Sequence, residues 1–254
     1  MKKRKAGIVI FVIVLIITAV RIKSMDSHRI SGRILAENIA GPGMLRLVEQ
    51  SMQARARKTS VTEIAVKERK HPQAALTFDD GPDIRYTPLL LDGLKERNVR
   101  ASFFLLGEKV EQYPELVERM QKEGHLVGNH TYHHVQLNKL NETKAREEIL
   151  KTNNLIYETT GVYPLYLRPP FGAWKKNLEL CVEMLPVFWT IDTLDWKVQN
   201  TEKIVRTVQE QIEDGAIILM HDEYDTSVEA ALQVADDLKA QGYQLVTVDQ
   251  LILP

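Results

Sequence analysis

The run Thr77-Phe78-Asp79-Asp80-Gly81-Pro82 sets two adjacent carboxylates between an apolar stretch and a Gly-Pro turn. Like charges side by side repel, so one of the pair needs a cation or a proton. Downstream, His130 and His134 stand four residues apart, a spacing that puts both imidazoles on one face of a helix. One carboxylate plus two imidazoles is an open three-ligand set of the kind that holds a catalytic zinc. The second carboxylate is then free to act as a base. The chemistry this predicts is metal-dependent hydrolysis. Each signal also has a plainer reading: adjacent Asp residues before Gly-Pro form turns, and a lone histidine is more often structural than a ligand.

The elements that must position these groups follow from the apolar pattern. Strand-like runs cover 74–78, 101–106, 125–128, 165–167, 187–190, 216–220 and 243–248. Helix-like runs lie between them, over 87–97, 114–123, 142–160, 175–185, 202–213 and 227–241. Pro114 opens one helix, and Gly161 closes another. Repeated β-then-α units imply parallel strands with right-handed crossovers. About seven such units predict an α/β fold, a barrel somewhat short of eight strands, with a doubly wound open sheet as the alternative. In both, catalytic groups collect beyond the carboxyl ends of the strands. Asp79 and Asp80 follow one expected strand and His130 another; Arg168, Asp192 and His221 each follow a different one. Five polar clusters therefore fall on one rim.

With these clusters in view, the chain resembles the polysaccharide deacetylases of carbohydrate esterase family four, the NodB homology domain. The resemblance covers roughly residues 70–254. It rests on Thr77-Phe78-Asp79-Asp80-Gly81-Pro82, His130-Thr131-Tyr132-His133-His134, Arg168-Pro169-Pro170-Phe171-Gly172, Asp192-Thr193-Leu194-Asp195-Trp196 and Ile218-Leu219-Met220-His221-Asp222, all in order. It implies a distorted (β/α) barrel and hydrolysis of N-acetyl groups on N-acetylglucosamine polymers. It also implies roles. Asp79 resembles the catalytic base, and Asp80, His130 and His134 the metal triad. Arg168 looks like the residue that holds the base, and Asp195 like the partner of a catalytic acid, His221. Phe171 would offer a backbone N–H to the oxyanion, while Trp196 and Leu219 would wall the acetyl methyl. The cofactor implied is one divalent ion, zinc first, with cobalt or another transition metal as the alternative.

The bulk numbers bound the partners. Across 254 residues, 33 Lys and Arg face 34 Asp and Glu, which argues against nucleic acid. The single cysteine, Cys181, rules out an internal disulfide and reads as a core thiol. Lys2-Lys3-Arg4-Lys5 precedes an apolar run over 6–20. That run is short of the ~20 residues of a spanning helix. However, Arg21 and Lys23 spoil a peptidase site, and both can snorkel. The expectation is a membrane anchor over 1–23, a stalk and linker over 24–70 carrying a strand at 61–66, and a catalytic domain over 71–254 facing the outside of the cell. Secretion after signal cleavage is the alternative. An outward-facing enzyme of this kind points to peptidoglycan as substrate, with chitin oligomers or an N-acetylglucosamine exopolysaccharide as rivals. A non-catalytic wall-binding protein is the reading from another class.

Overall fold

The strand Gln73–Asp79 (β1) is buried along nearly its whole length, as expected for a strand covered on both faces of a parallel sheet. The computed structural model describes residues 71–174 and 184–252. The expected anchor, stalk and 61–66 strand lie outside these residues. So does the expected 175–185 helix, with Cys181, except at its end, where Leu185 belongs to a strand. Among the described residues, no helix is long and apolar enough to cross a membrane.

In chain order the elements are β1, α1 (Tyr86–Glu96), β2 (Ser102–Leu105), α2 (Gly107–Gln112), α3 (Pro114–Lys122), β3 (Leu126–Asn129), α4 (Glu142–Thr160), β4 (Tyr166–Leu167) and β5 (Leu185–Pro186). There follow β6 (Ile191–Asp192), α5 (Asp195–Val198), α6 (Thr201–Gln211), β7 (Ala216–His221), α7 (Asp225–Ala240), β8 (Gln244–Leu245) and α8 (Val248–Ile252). Strands run β5-β4-β3-β2-β1-β7-β6, with β8 paired to the start of β1. All pairings are parallel. The path runs from β5 at one end to β6 at the other, giving a half-barrel, the distorted barrel the sequence predicts.

Alternation along β1 decides what the site receives. Leu76 and Phe78 point to the helix layer, where they pack with Leu90, Leu94 and Phe103. Phe78 and Phe103 sit in register across β1 and β2, with ring centroids 5.2 Å apart. Ala75 points the other way, into the barrel with Phe104, Tyr166, Val248 and Leu251. Period-two alternation puts Thr77 and Asp79 on that same inner face. The last residue of β1 is thus a carboxylate aimed into the barrel mouth. Asp80 then takes a left-handed backbone (φ 69°) and turns out of the strand.

Two expected elements are placed differently. The run 187–190 is not a strand; β5 and β6 lie on either side of it. The expected 243–248 strand shortens to Gln244–Leu245, and Val248 opens α8. Short apolar runs such as these are not separated from strands by pattern alone.

Candidate active site

His130 and His134 do not share a helical face. They bound a loop that leaves β3, because Thr131 (φ 68°) and His134 (φ 55°) adopt left-handed conformations no α-helix accepts. The loop nevertheless brings both imidazoles to Asp80. His130 Nε2 lies 3.4 Å and His134 Nε2 3.5 Å from Asp80 Oδ1. One donor atom from each of the three residues falls within 4.8 Å of the others. Asp80 Oδ1 is buried and has no hydrogen-bond partner. A buried carboxylate oxygen without a donor is costly, and two imidazole nitrogens converge on it. This is a donor set that fits a divalent cation.

The protonation pattern agrees. His130 Nδ1 lies 2.6 Å from the Arg168 carbonyl oxygen, which can only accept, so Nδ1 carries the hydrogen and Nε2 presents its lone pair to Asp80. Burial drives the His130 pKa down to about 3, against the pull of Asp80, and keeps the ring neutral.

Asp79 sits beside this set, with Oδ2 3.7 Å from His130 Nε2. Its Oδ1 accepts from Arg168 Nη1 at 2.8 Å, and the same nitrogen donates to Thr77 Oγ1 at 2.7 Å. Arg168 is fully buried, its guanidinium 4.2 Å from the Phe104 ring centroid. Arg168 and a bound cation together would be expected to favour ionised Asp79. The guanidinium does pull that way, but burial outweighs it and holds the Asp79 pKa above the usual carboxylate range. A cation at Asp80 would pull it back down.

His221 is likewise held toward its protonated form, but by a charged partner rather than by burial. His221 ends β7, and its Nδ1 lies 2.8 Å from Asp195 Oδ1, while its backbone N–H donates to Asp195 Oδ2 at 2.8 Å. Burial opposes the imidazolium, but the Asp195 carboxylate, helped by Asp79 and Asp80, raises the His221 pKa to about 9. Asp195, though buried, is held below its ordinary value by the same pairing. His221 Nε2 faces the ligand set, 3.9 Å from Asp80 Oδ2.

Asp79, Asp80, His130, His134 and His221 line a cavity of about 450 Å³, with Arg168 and Asp195 buried behind them. Phe171, Trp196 and Leu219 line it too. The Phe171 ring sits 4.5 Å from that of His134. Sequence reasoning missed Trp189, Leu194, Glu223 and Tyr224, which line the cavity together with Asp192. Asp192 Oδ1 accepts the Leu194 N–H at 3.0 Å and so sets the turn. Asp222 faces away from this role. Its carboxyl is fully buried, accepts the Thr87 hydroxyl, and is pushed by burial up to about 7. Left-handed backbone recurs around the cavity, at Asp80, His134, Phe171 and Leu194. Each costs an L-residue about 1–2 kcal/mol, which the surrounding packing must offset.

Fold and rim together define a parallel β/α half-barrel protein with an Asp–His–His set that could hold a metal ion at the carboxyl ends of its strands. Comparison with known proteins gives the family. The family model described as polysaccharide deacetylase matches residues 66–188. The peptidoglycan-N-acetylglucosamine deacetylase PgdA of Listeria monocytogenes is 42% identical over 185 residues, which are 73% of this chain and 40% of that protein. A peptidoglycan-N-acetylglucosamine deacetylase of Bacillus cereus is 40% identical over 186 residues, 70% of this chain and 68% of the relative. Among solved structures, the peptidoglycan deacetylase PdaC from Bacillus subtilis superposes with a TM-score of 0.70 at 43% identity, covering 72% of this chain and 91% of that one. The chain belongs to the polysaccharide deacetylase family. It spans less than half the length of the Listeria relative.

Proposed function

We propose that this chain is a metal-dependent hydrolase that removes N-acetyl groups from N-acetylglucosamine residues of a cell-wall glycan, foremost peptidoglycan, and releases acetate. The observation that carries the reading is the pairing of opposites beside one ligand set. A carboxylate held by Arg168 lies 3.7 Å from His130, and an imidazole held by Asp195 lies 3.9 Å from Asp80. Amide hydrolysis needs both, a base for the attacking water and an acid for the departing nitrogen.

Asp80, His130 and His134 would hold the ion; zinc fits these N and O donors, and cobalt, nickel or iron could occupy the same set. Once bound, the ion supplies Lewis acidity toward the attacking water and the acetyl carbonyl. Asp79 takes a proton from the water as its oxygen bonds to the carbonyl carbon. Arg168 keeps that carboxylate aimed at the cavity. The Phe171 N–H offers a hydrogen bond to the oxygen that gains charge, where a preorganised donor contributes several kcal/mol. His221 then gives its proton to the nitrogen as the carbon–nitrogen bond breaks, leaving acetate and a free amine. Trp196 and Leu219 enclose the methyl group and exclude water. The relatives' names support peptidoglycan, and so does the basic-then-apolar start of the chain, which supports an anchored domain outside the cell.

The test is mass spectrometry of muropeptides and chitooligomers after incubation with the full chain. Loss of one acetyl mass from the glucosamine of muropeptides is the expected result. Turnover of chitooligomers alone would move the substrate to its rival, and no mass change on either would remove the activity.

A further inference from the structure

The main chain between the two imidazoles is held from outside by a carboxylate, that of Glu148, while the Tyr132 hydroxyl donates to Glu111. Glu148 lies on α4, and its Oε2 accepts the N–H groups of Tyr132 at 3.1 Å and of His133 at 2.9 Å. Its Oε1 sits 2.8 Å from His133 Nδ1, a ring that is largely exposed. The two N–H groups lie between the ligands His130 and His134. The rest of the loop is tied by Asn129, by its own Thr131 and by the start of α2. Asn129 Oδ1 accepts the Thr131 N–H at 2.7 Å, Thr131 Oγ1 accepts the Val135 N–H at 3.2 Å, and the Thr131 carbonyl accepts from Gly107 at 2.9 Å.

His130 has a second anchor in the Arg168 carbonyl. His134 is more exposed and is left-handed, so its place depends on the main chain before it. We propose that Glu148 is a positioning residue for the metal site, fixing the backbone between the ligands so that His134 meets Asp80 in the free protein. Without it, two adjacent N–H groups lose their acceptor, and the loop relaxes from a conformation that L-residues disfavour.

The inference rests on the metal-site reading, and a zinc titration of the full chain against a chromophoric chelator separates the two. Zinc affinity in Glu148→Ala is expected to fall 10–100-fold, the range typical of residues that orient ligands. Glu148→Gln, whose amide oxygen still accepts both N–H groups, should return to within a few-fold of the parent. His133→Ala, which keeps its N–H and loses only the ring, should stay there too. Saturating zinc should restore most of the kcat/KM of Glu148→Ala. A merely structural glutamate would instead lower the Tm of metal-free and metal-loaded protein equally and leave affinity unchanged. Parental zinc affinity in Glu148→Ala would overturn the proposal alone; a parent chain that takes up no zinc would remove the metal site itself. Should Glu148→Ala not fold, hydrogen exchange in the metal-free parent decides: slow exchange at Tyr132 and His133 supports the clamp, and exchange at open-loop rates overturns it.

Discussion

Asp79 and His221 have the same neighbour, Asp80, and the groups that hold them pull in opposite directions: Arg168 favours the carboxylate, although burial outweighs it, and Asp195 favours the imidazolium. Arg168 grips the first and Asp195 the second. Replacing Asp79 with Asn keeps the shape and removes the proton acceptor. Turnover should fall about 10²–10⁴-fold, the usual worth of a general base, with zinc content measured alongside and unchanged. For His221 the active form is the imidazolium. The Asp195 carboxylate raises its pKa, to about 9 in the metal-free protein; a cation at Asp80 would lower that value. The kcat/KM of the metal-loaded enzyme should therefore fall as pH rises through a pKa above the ordinary imidazole range and below that of the metal-free protein. In Asp195→Asn the support is gone, and the same decline should begin at lower pH; a pH–rate profile of both proteins reads it directly. These side chains were legible in the sequence because each follows an apolar run at a different strand end. Trp189, Glu223 and Tyr224 were not, since an aromatic or acidic residue in a loop carries no mark of the cavity it lines.

At the scale of elements, β1 was legible because a seven-residue parallel strand buried on both faces leaves an unbroken apolar run. The helix α4 was legible to the residue, from Glu142 to its stop at Gly161, whose φ is 72°. Two-residue strands such as β5 and β6 have too little alternation to announce themselves, and α2, six residues long, has too few turns to show a period. The histidine loop misled for a physical reason: a spacing of four fits a helix, but left-handed turns at Thr131 and His134 bring the rings together without one. Two glycines separate backbone strain from site geometry. At Gly161, an added Cβ meets nothing within 4 Å, so Gly161→Ala carries only the left-handed cost. Thermal or denaturant unfolding should show a loss of about 1–2 kcal/mol, with turnover per folded molecule unchanged. At Gly81, an added Cβ would come within 2.5 Å of Asp222 Oδ1. Gly81→Ala must shift the turn directly after Asp80, and zinc affinity should fall along with turnover.

For the whole molecule, the half-barrel explains why residues from Asp79 to His221 meet at one mouth: parallel strands bring all their carboxyl ends to the same rim. It also explains a balanced net charge, since the substrate we propose is a glycan and calls for no basic face. Removing acetyl groups would leave amines on the wall polymer, adding positive charge there. The most direct measurement is acetate release from N-acetylated glycan by the full chain before and after a chelator, followed by stepwise return of zinc. Our account predicts that release stops on chelation and recovers fully at about one ion per chain, as expected of a single three-ligand site. Release that continues undiminished in metal-stripped protein would contradict it.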